Sequence, residues 1–224
     1  MPEFDIHYPH GNSPRVVKSG ARTLKNRMIA FELGEEYYDG ARENGYGGYH
    51  YDGRWKDMLP NIIDHYQLTP ESSVLDLGCK KGFFLHDLKE ALPGIQVKGV
   101  ENHRYPIQTA MNSVKDDIVL SAYQELPFAD NSFDFVFAYA AIYMLNLRGV
   151  MQSLREIQRV ARGRSFVTLG AYRTPEELAL FQEWTLLGTT VLHIDEWLQL
   201  FEHTGYTGDY SFVTAETLHL VRGE

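Results

Sequence analysis

Cysteine is nearly absent from this chain: Cys79 is the only one in 224 residues. An internal disulfide framework is therefore excluded, and a reducing, cytoplasmic setting is expected. Long apolar runs are also missing. No stretch approaches the ~20 consecutive apolar residues needed to cross a bilayer. Met1 to Gly20 carries charges, histidines and three prolines where a leader would be apolar, so neither a membrane span nor a targeting segment is predicted. Basic side chains are in deficit: 21 Lys and Arg stand against 30 Asp and Glu, a net charge of −9. Broad contact with a phosphate backbone needs clustered cations, so DNA is not an expected partner. HxxxH, HExxH and paired cysteines are all missing, which predicts no metal site, and no GxSxG elbow is present.

The chain does have enough apolar material for one well-buried core, 44% of residues. Its first forty residues are punctuated by Pro2, Pro9, Gly11, Pro14 and Gly20 and read as an arm on a domain surface, with a helix expected from about Ser19 to Leu33. Met58, Leu59, Ile62, Ile63 and Tyr66 fall at helical intervals between Trp55 and Tyr66.

From Ser73 the pattern changes. Short apolar runs at Val74–Leu77, Gln96–Glu101, Ile118–Leu120, Phe133–Tyr139 and Ser165–Leu169 alternate with amphipathic segments at about Phe83–Leu92, Pro106–Val114 and Gly149–Val160. Such alternation predicts βα units and a doubly wound, parallel α/β sheet. Two further helices are expected, at about Pro175–Leu187 behind a Thr174 cap and at Ile194–His203 before Gly205. Asp209–Val213 and Thr217–Val221 read as a hairpin turning at Ala215-Glu216.

Ser73-Val-Leu-Asp-Leu-Gly-Cys-Lys-Lys-Gly-Phe-Phe-Leu85 reads strand, tight turn, helix. Gly78 and Gly82 would let the backbone approach a ligand, with the free N–H groups of the new helix pointing at it. The dinucleotide pattern GxGxxG is not met, because Cys79-Lys80-Lys81 separates the two glycines. Glu101 ends the next strand, where a carboxylate can accept from vicinal ribose hydroxyls. Glycine turn plus strand-end acid describes an adenosine site.

Upstream, Tyr46-Gly-Gly-Tyr-His-Tyr-Asp-Gly-Arg-Trp55 combines glycine with tyrosine. It is either a surface loop packed on the core or a lid with glycine hinges, in which Tyr46, Tyr49 and Tyr51 form flat walls. The planar fork of Arg54 suits a carboxylate. His50, His103 and His193 are base candidates by chemistry alone.

Taken together, these residues resemble the class I S-adenosylmethionine-dependent methyltransferases. Val74-Leu-Asp-Leu-Gly-Cys79 with Gly82 is similar to their first motif, and Glu101 stands where their ribose-binding acid belongs. Glu125-Leu-Pro-Phe-Ala-Asp-Asn-Ser-Phe-Asp-Phe-Val-Phe137 is very similar to the loop and fourth strand of the small-molecule branch called type 11, and Glu156-Ile-Gln-Arg-Val160 resembles the helix that follows. The resemblance covers about Ser73 to Leu169.

It implies a Rossmann-like, mostly parallel seven-stranded sheet with helices on both sides and an antiparallel last strand. A cap would occupy residues 1–70 and a cofactor-binding core residues 71–224. The implied cofactor is S-adenosylmethionine, held by Asp76, Gly78, Cys79, Gly82, Phe83, Glu101, Asn102, Ala122, Tyr123 and Tyr139, with Tyr49 and Arg54 reaching in from the cap. Tyr46, Tyr172 and Arg173 would face a small-molecule methyl acceptor, while Tyr143 and His50 are the candidates for catalysis. The cap segment and Gly205-Tyr-Thr-Gly-Asp-Tyr210 also look like parts of bacterial methyltransferases from surface-polysaccharide or natural-product clusters.

Two positions depart from the family pattern. Lys80 replaces a central glycine, and Ala122 stands where an acid usually holds the adenine amine. These departures leave open a non-catalytic methyltransferase-like partner subunit. An RNA or protein methyltransferase and a nicotinamide-type Rossmann enzyme are the remaining alternatives, disfavoured by the charge and by the missing GxGxxG. A homodimer is compatible with the sequence, which does not set the assembly.

Overall fold

The computed structural model describes residues 2–9, 11 and 13–223. An N-terminal strand β1 (Arg15–Val17) precedes helices α1 (Leu24–Phe31), α2 (Glu35–Tyr38) and α3 (Trp55–Tyr66). The alternating part follows: β2 (Ser73–Leu77), α4 (Phe83–Ala91), β3 (Gln96–Glu101), α5 (Arg104–Gln108), β4 (Ile118–Leu120), β5 (Phe135–Ala138), α6 (Leu147–Val160) and β6 (Ser165–Tyr172). The chain closes with α7 (Pro175–Trp184), β7 (Leu192–His193), α8 (Ile194–Thr204), β8 (Asp209–Val213) and β9 (Leu220–Arg222).

Seven strands form one sheet in the order β4-β3-β2-β5-β6-β7, with β8 also on β6. The strand order reverses between β2 and β5, and at such a switch point the helices leave to opposite faces and a crevice opens at the carboxyl ends of the strands. Pleating sends alternate residues to opposite layers. Leu75, Leu77, Val136, Ala138, Val167 and Leu169 pack with α6 and α8. Val74, Val97, Phe135, Phe137 and Phe166 pack instead with α3 and α4.

The tail differs from the expected hairpin. A two-residue turn wants positive φ at both central residues, which Ala215 and Glu216 do not favour. Instead the Thr214 N–H donates to the Thr217 hydroxyl oxygen (2.9 Å) and the Thr217 N–H to that of Thr214 (3.2 Å). This closes a helical turn that carries the chain off the sheet. As a result β8 pairs β6 in parallel from Phe166↔Asp209 to Gly170↔Val213, and β9 pairs β1. Every pair in the seven-stranded sheet is parallel, so the expected antiparallel last strand is corrected.

The N-terminal arm is also more than a surface strap. Ile6 is buried, and Phe4 stacks on His65 at 3.8 Å between ring centres. Helix α1 starts five residues later than predicted because Thr23 and Asn26 exchange capping bonds there. Helix α5 ends at Gln108, well short of Val114.

Candidate functional site

The crevice at the carboxyl ends of β2 and β5 is built on the turn after Leu77. Gly78 (φ +77°) donates its N–H to the Val100 carbonyl at 2.8 Å, and a Cβ added there would meet the Ala141 Cβ at 2.5 Å. At Gly82 (φ +76°), which opens α4, an added Cβ would meet a Val114 methyl at 2.6 Å. Lys80 also sits in the left-handed region, φ +53°, so the turn follows the path of a glycine with a residue that has a Cβ. Its ammonium donates to the carbonyls of Gly78 and Tyr139, each at 3.4 Å.

Glu101 is buried and held from three sides. Its Oε2 accepts from the Lys80 N–H at 3.0 Å, and its Oε1 from the Asn102 N–H at 2.8 Å and the Tyr123 hydroxyl at 3.1 Å. Asp76, two residues before the turn, has its carboxyl pushed up to about 7 by burial and by Glu101, against the downward pull of Lys80. Burial also raises the Cys79 thiol well above its ordinary value, so a thiolate nucleophile is disfavoured.

The cap closes over this turn. Asp39 accepts both from Lys81 Nζ (2.8 and 2.7 Å) and from the Tyr105 hydroxyl (2.6 Å), and it also takes the Tyr49 N–H at 3.1 Å. Against the upward pull of burial, Lys81 and Tyr105 hold the Asp39 carboxyl below its usual range. Tyr38 is 2% exposed and lies beside Glu101 and Tyr123; burial, then the charge of Glu101, raises its hydroxyl well above its ordinary value. The void left between Tyr38, Leu33, Lys80, Glu101 and Tyr123 is about 10 Å³, room for about one water. The turn, the buried acid and the tyrosine donor fit a nucleoside chemically, but in this arrangement Tyr38 and Lys80 take up the room.

A second cavity, about 290 Å³, lies on the β5 side. Tyr139 and Tyr143 line it just after β5, Tyr46 and Arg54 come from the cap, and Arg15, Arg22, Arg42 and Trp184 line it as well. Burial lifts the hydroxyls of Tyr139 and Tyr143 above their ordinary values, so neither is ionised at neutral pH.

Several predicted residues thus come together: Asp76, Gly78, Cys79, Gly82, Glu101, Asn102 and Tyr123 at the turn, and Tyr46, Arg54, Tyr139 and Tyr143 at the open cavity. Phe83 stacks against Tyr49 at 4.9 Å and so joins turn to cap. Arg54 is forked onto Asp52, with Nε at 2.9 Å and Nη2 at 2.5 Å from Oδ2, and Nη1 donates to the Tyr8 hydroxyl at 2.7 Å. Ala122 and His50 are exposed and line neither cavity. Tyr172 packs edge-on to His193, and Arg173 is exposed beside Glu216 at 3.6 Å.

Sequence reasoning missed Asp39 and Tyr38, which precede the Tyr46–Trp55 segment. It also missed Lys81, which is buried against Asp39. His86, Asp87 and Glu90 gather on α4 away from both cavities. Asp87 accepts from the Tyr51 hydroxyl and Glu90 pairs with Lys56.

Comparison with known proteins places this geometry. Residues 75–169 match the family model described as "Methyltransferase domain". The chain is 28% identical over 145 residues to a malonyl-[acyl-carrier protein] O-methyltransferase of Legionella pneumophila, covering 62% of this chain and 49% of that one. It is 26% identical over 152 residues to a cycloartenol-C-24-methyltransferase of Arabidopsis thaliana, covering 60% and 43%. The chain therefore spans about half the length of the curated relatives it matches or less.

Two solved structures share the fold. The YcgJ protein of Bacillus subtilis gives a TM-score of 0.54 at 19% identity, over 65% of this chain and 66% of that one. A Haloferax volcanii chain solved in complex with the Trm112 methyltransferase activator gives 0.51 at 23%, over 69% and 73%. The matched segment, residues 75–169, is less than half of the chain and coincides with the run from β2 to β6. Among the described residues, no helix is long and apolar enough to cross a membrane.

Proposed function

We propose that this protein transfers the methyl group of S-adenosylmethionine to an oxygen or nitrogen of a small molecule. The observation that carries this reading is the pairing, at one switch point, of a glycine turn facing a buried acid with a separate cavity lined by Tyr139 and Tyr143. A volume of about 290 Å³ suits a small acceptor.

When bound, S-adenosylmethionine supplies a sulfonium methyl open to in-line displacement. Gly78, Cys79, Gly82 and Phe83 would bring backbone close to its amino-acid part, with Asp76 beneath them. Glu101 and Asn102 would take the ribose, and Ala122 and Tyr123 would flank the base. Tyr49, Tyr139 and Arg54 would close the methionine end. Tyr143 is suited to orient the acceptor, since its neutral hydroxyl can donate or accept, and Tyr46 walls it in. His50, Tyr172 and Arg173 reach the acceptor only with movement of their segments. Positioning and water exclusion then supply most of the rate, several kcal/mol in comparable reactions.

Entry of the nucleoside requires the segment Leu33–Tyr38 to withdraw from Glu101. That filled pocket also favours a second reading, a methyltransferase-like partner subunit without turnover. Calorimetric titration of the full chain with S-adenosylhomocysteine, with NAD as control, tests both. Binding of the former alone is expected, and turnover with an acceptor panel separates enzyme from partner subunit. Binding of NAD alone would overturn the methyltransferase reading.

A further inference from the structure

The acceptor cavity is unusual in its charge. The protein carries nine more acidic than basic side chains, yet four arginines and, among the described residues, no Asp or Glu line this cavity. Arg54 is neutralised by Asp52. Two of the other three stand against one aromatic wall. The guanidinium carbon of Arg22 lies 5.3 Å from the Trp184 ring centre and that of Arg15 lies 6.0 Å from the same ring. Arg42 donates to the Gly45 carbonyl, which satisfies one of its five N–H groups.

Like charges brought together in a partly buried place are costly. The Arg22 guanidinium registers this cost: burial, then the repulsion of Arg42, lowers its pKa to about 10. Protein surfaces concentrate arginine in this way where planar oxyanions are gripped, because the guanidinium fork matches two oxygens at once.

We propose that this cavity binds the methyl acceptor through an oxyanionic group, phosphoryl or carboxylate. Arg22 and Arg42 grip that group, the organic body lies against Trp184 and Tyr46, and the reactive atom points toward Tyr139 and Tyr143. The word acceptor rests on the methyltransferase reading above; the anion site rests on the cavity alone.

The test is calorimetric titration of the full chain with phenyl phosphate, benzoate and neutral phenol at fixed ionic strength, with S-adenosylhomocysteine titrated in parallel. Phenyl phosphate or benzoate should bind one to one and more tightly than phenol, and the tighter of the two identifies the anionic group. Arg22→Gln should weaken that anion about tenfold or more and leave phenol and S-adenosylhomocysteine unchanged. Arg42→Gln, at an exposed position, should act in the same direction and guards against a folding defect at Arg22.

Equal affinity for phenol and the anions, or wild-type anion affinity in both variants, would overturn the inference. S-adenosylhomocysteine binding without anion binding removes this inference alone. Anion binding without S-adenosylhomocysteine binding removes the methyltransferase reading and leaves the anion site standing.

Discussion

The two compartments of the crevice are built from opposite materials. On the β3 side, Asp76 and Glu101 surround a strained glycine turn, and the space is filled by Tyr38 and Lys80. On the β5 side, arginine and tyrosine line a cavity that stands open. The difference shows that the two compartments are set by different parts of the chain. Acids at the ends of neighbouring parallel strands converge by topology alone, whereas the arginines meet only because β1, α1 and the cap fold over the tail. The first compartment is a property of the core and the second of its elaboration.

Four measurements would sharpen or break this contrast, beginning with the largest effect. Asp76 keeps its proton up to about pH 7 in the folded protein, against an ordinary value of 3.8. The unfolded chain therefore releases this proton first as pH rises. Stability contributed by Asp76 falls between about pH 4 and 7, by about 1.4 kcal/mol per pH unit. Asp76→Asn should flatten that slope in denaturant titrations at stepped pH, and an unchanged slope would show that this compartment is not an acidic, desolvated one.

Asp39→Ala removes the counter-charge of Lys81, which is 8% exposed at its side chain. Loss of a buried partner costs about 3 kcal/mol, so the unfolding midpoint should drop; a shift of less than half that size would mean that the cap is not tied to the turn through this pair. Glu101→Ala should weaken S-adenosylhomocysteine by roughly 1–3 kcal/mol through lost hydrogen bonds, and should leave phenyl phosphate binding untouched if the compartments are independent. The smallest effect is expected for Lys80→Gly. Relief of the left-handed strain is worth about 1 kcal/mol, and departure of the ammonium should also ease nucleoside entry, readable as a faster association rate.

Much of this architecture was legible in the residues. The alternation from Val74 to Leu169 gave the parallel sheet, because buried strands and amphipathic helices have different periods. The meeting of Gly78, Gly82 and Glu101 was legible too, because it depends on local geometry at strand ends. The tail was not. The exchange of bonds between Thr214 and Thr217 competes with a hairpin on equal local terms, and the pairing of β9 with β1 depends on a partner about 200 residues away. The open cavity was only half visible. Tyr139, Tyr143, Tyr46 and Arg54 were legible, but Arg15, Arg22 and Arg42 lie in segments without periodicity, where charge alone reads as solvation. Asp39 and Lys81 stayed hidden because a buried ion pair between distant residues leaves no mark on either neighbourhood.

The placement of Trp184 has a practical consequence. Of the three tryptophans, Trp55 and Trp197 are buried, 7% and 0% exposed, while Trp184 lines the open cavity with two guanidiniums near its ring. Emission from this indole is thus a built-in optical gauge of occupancy, responsive to whatever enters the cavity beside it.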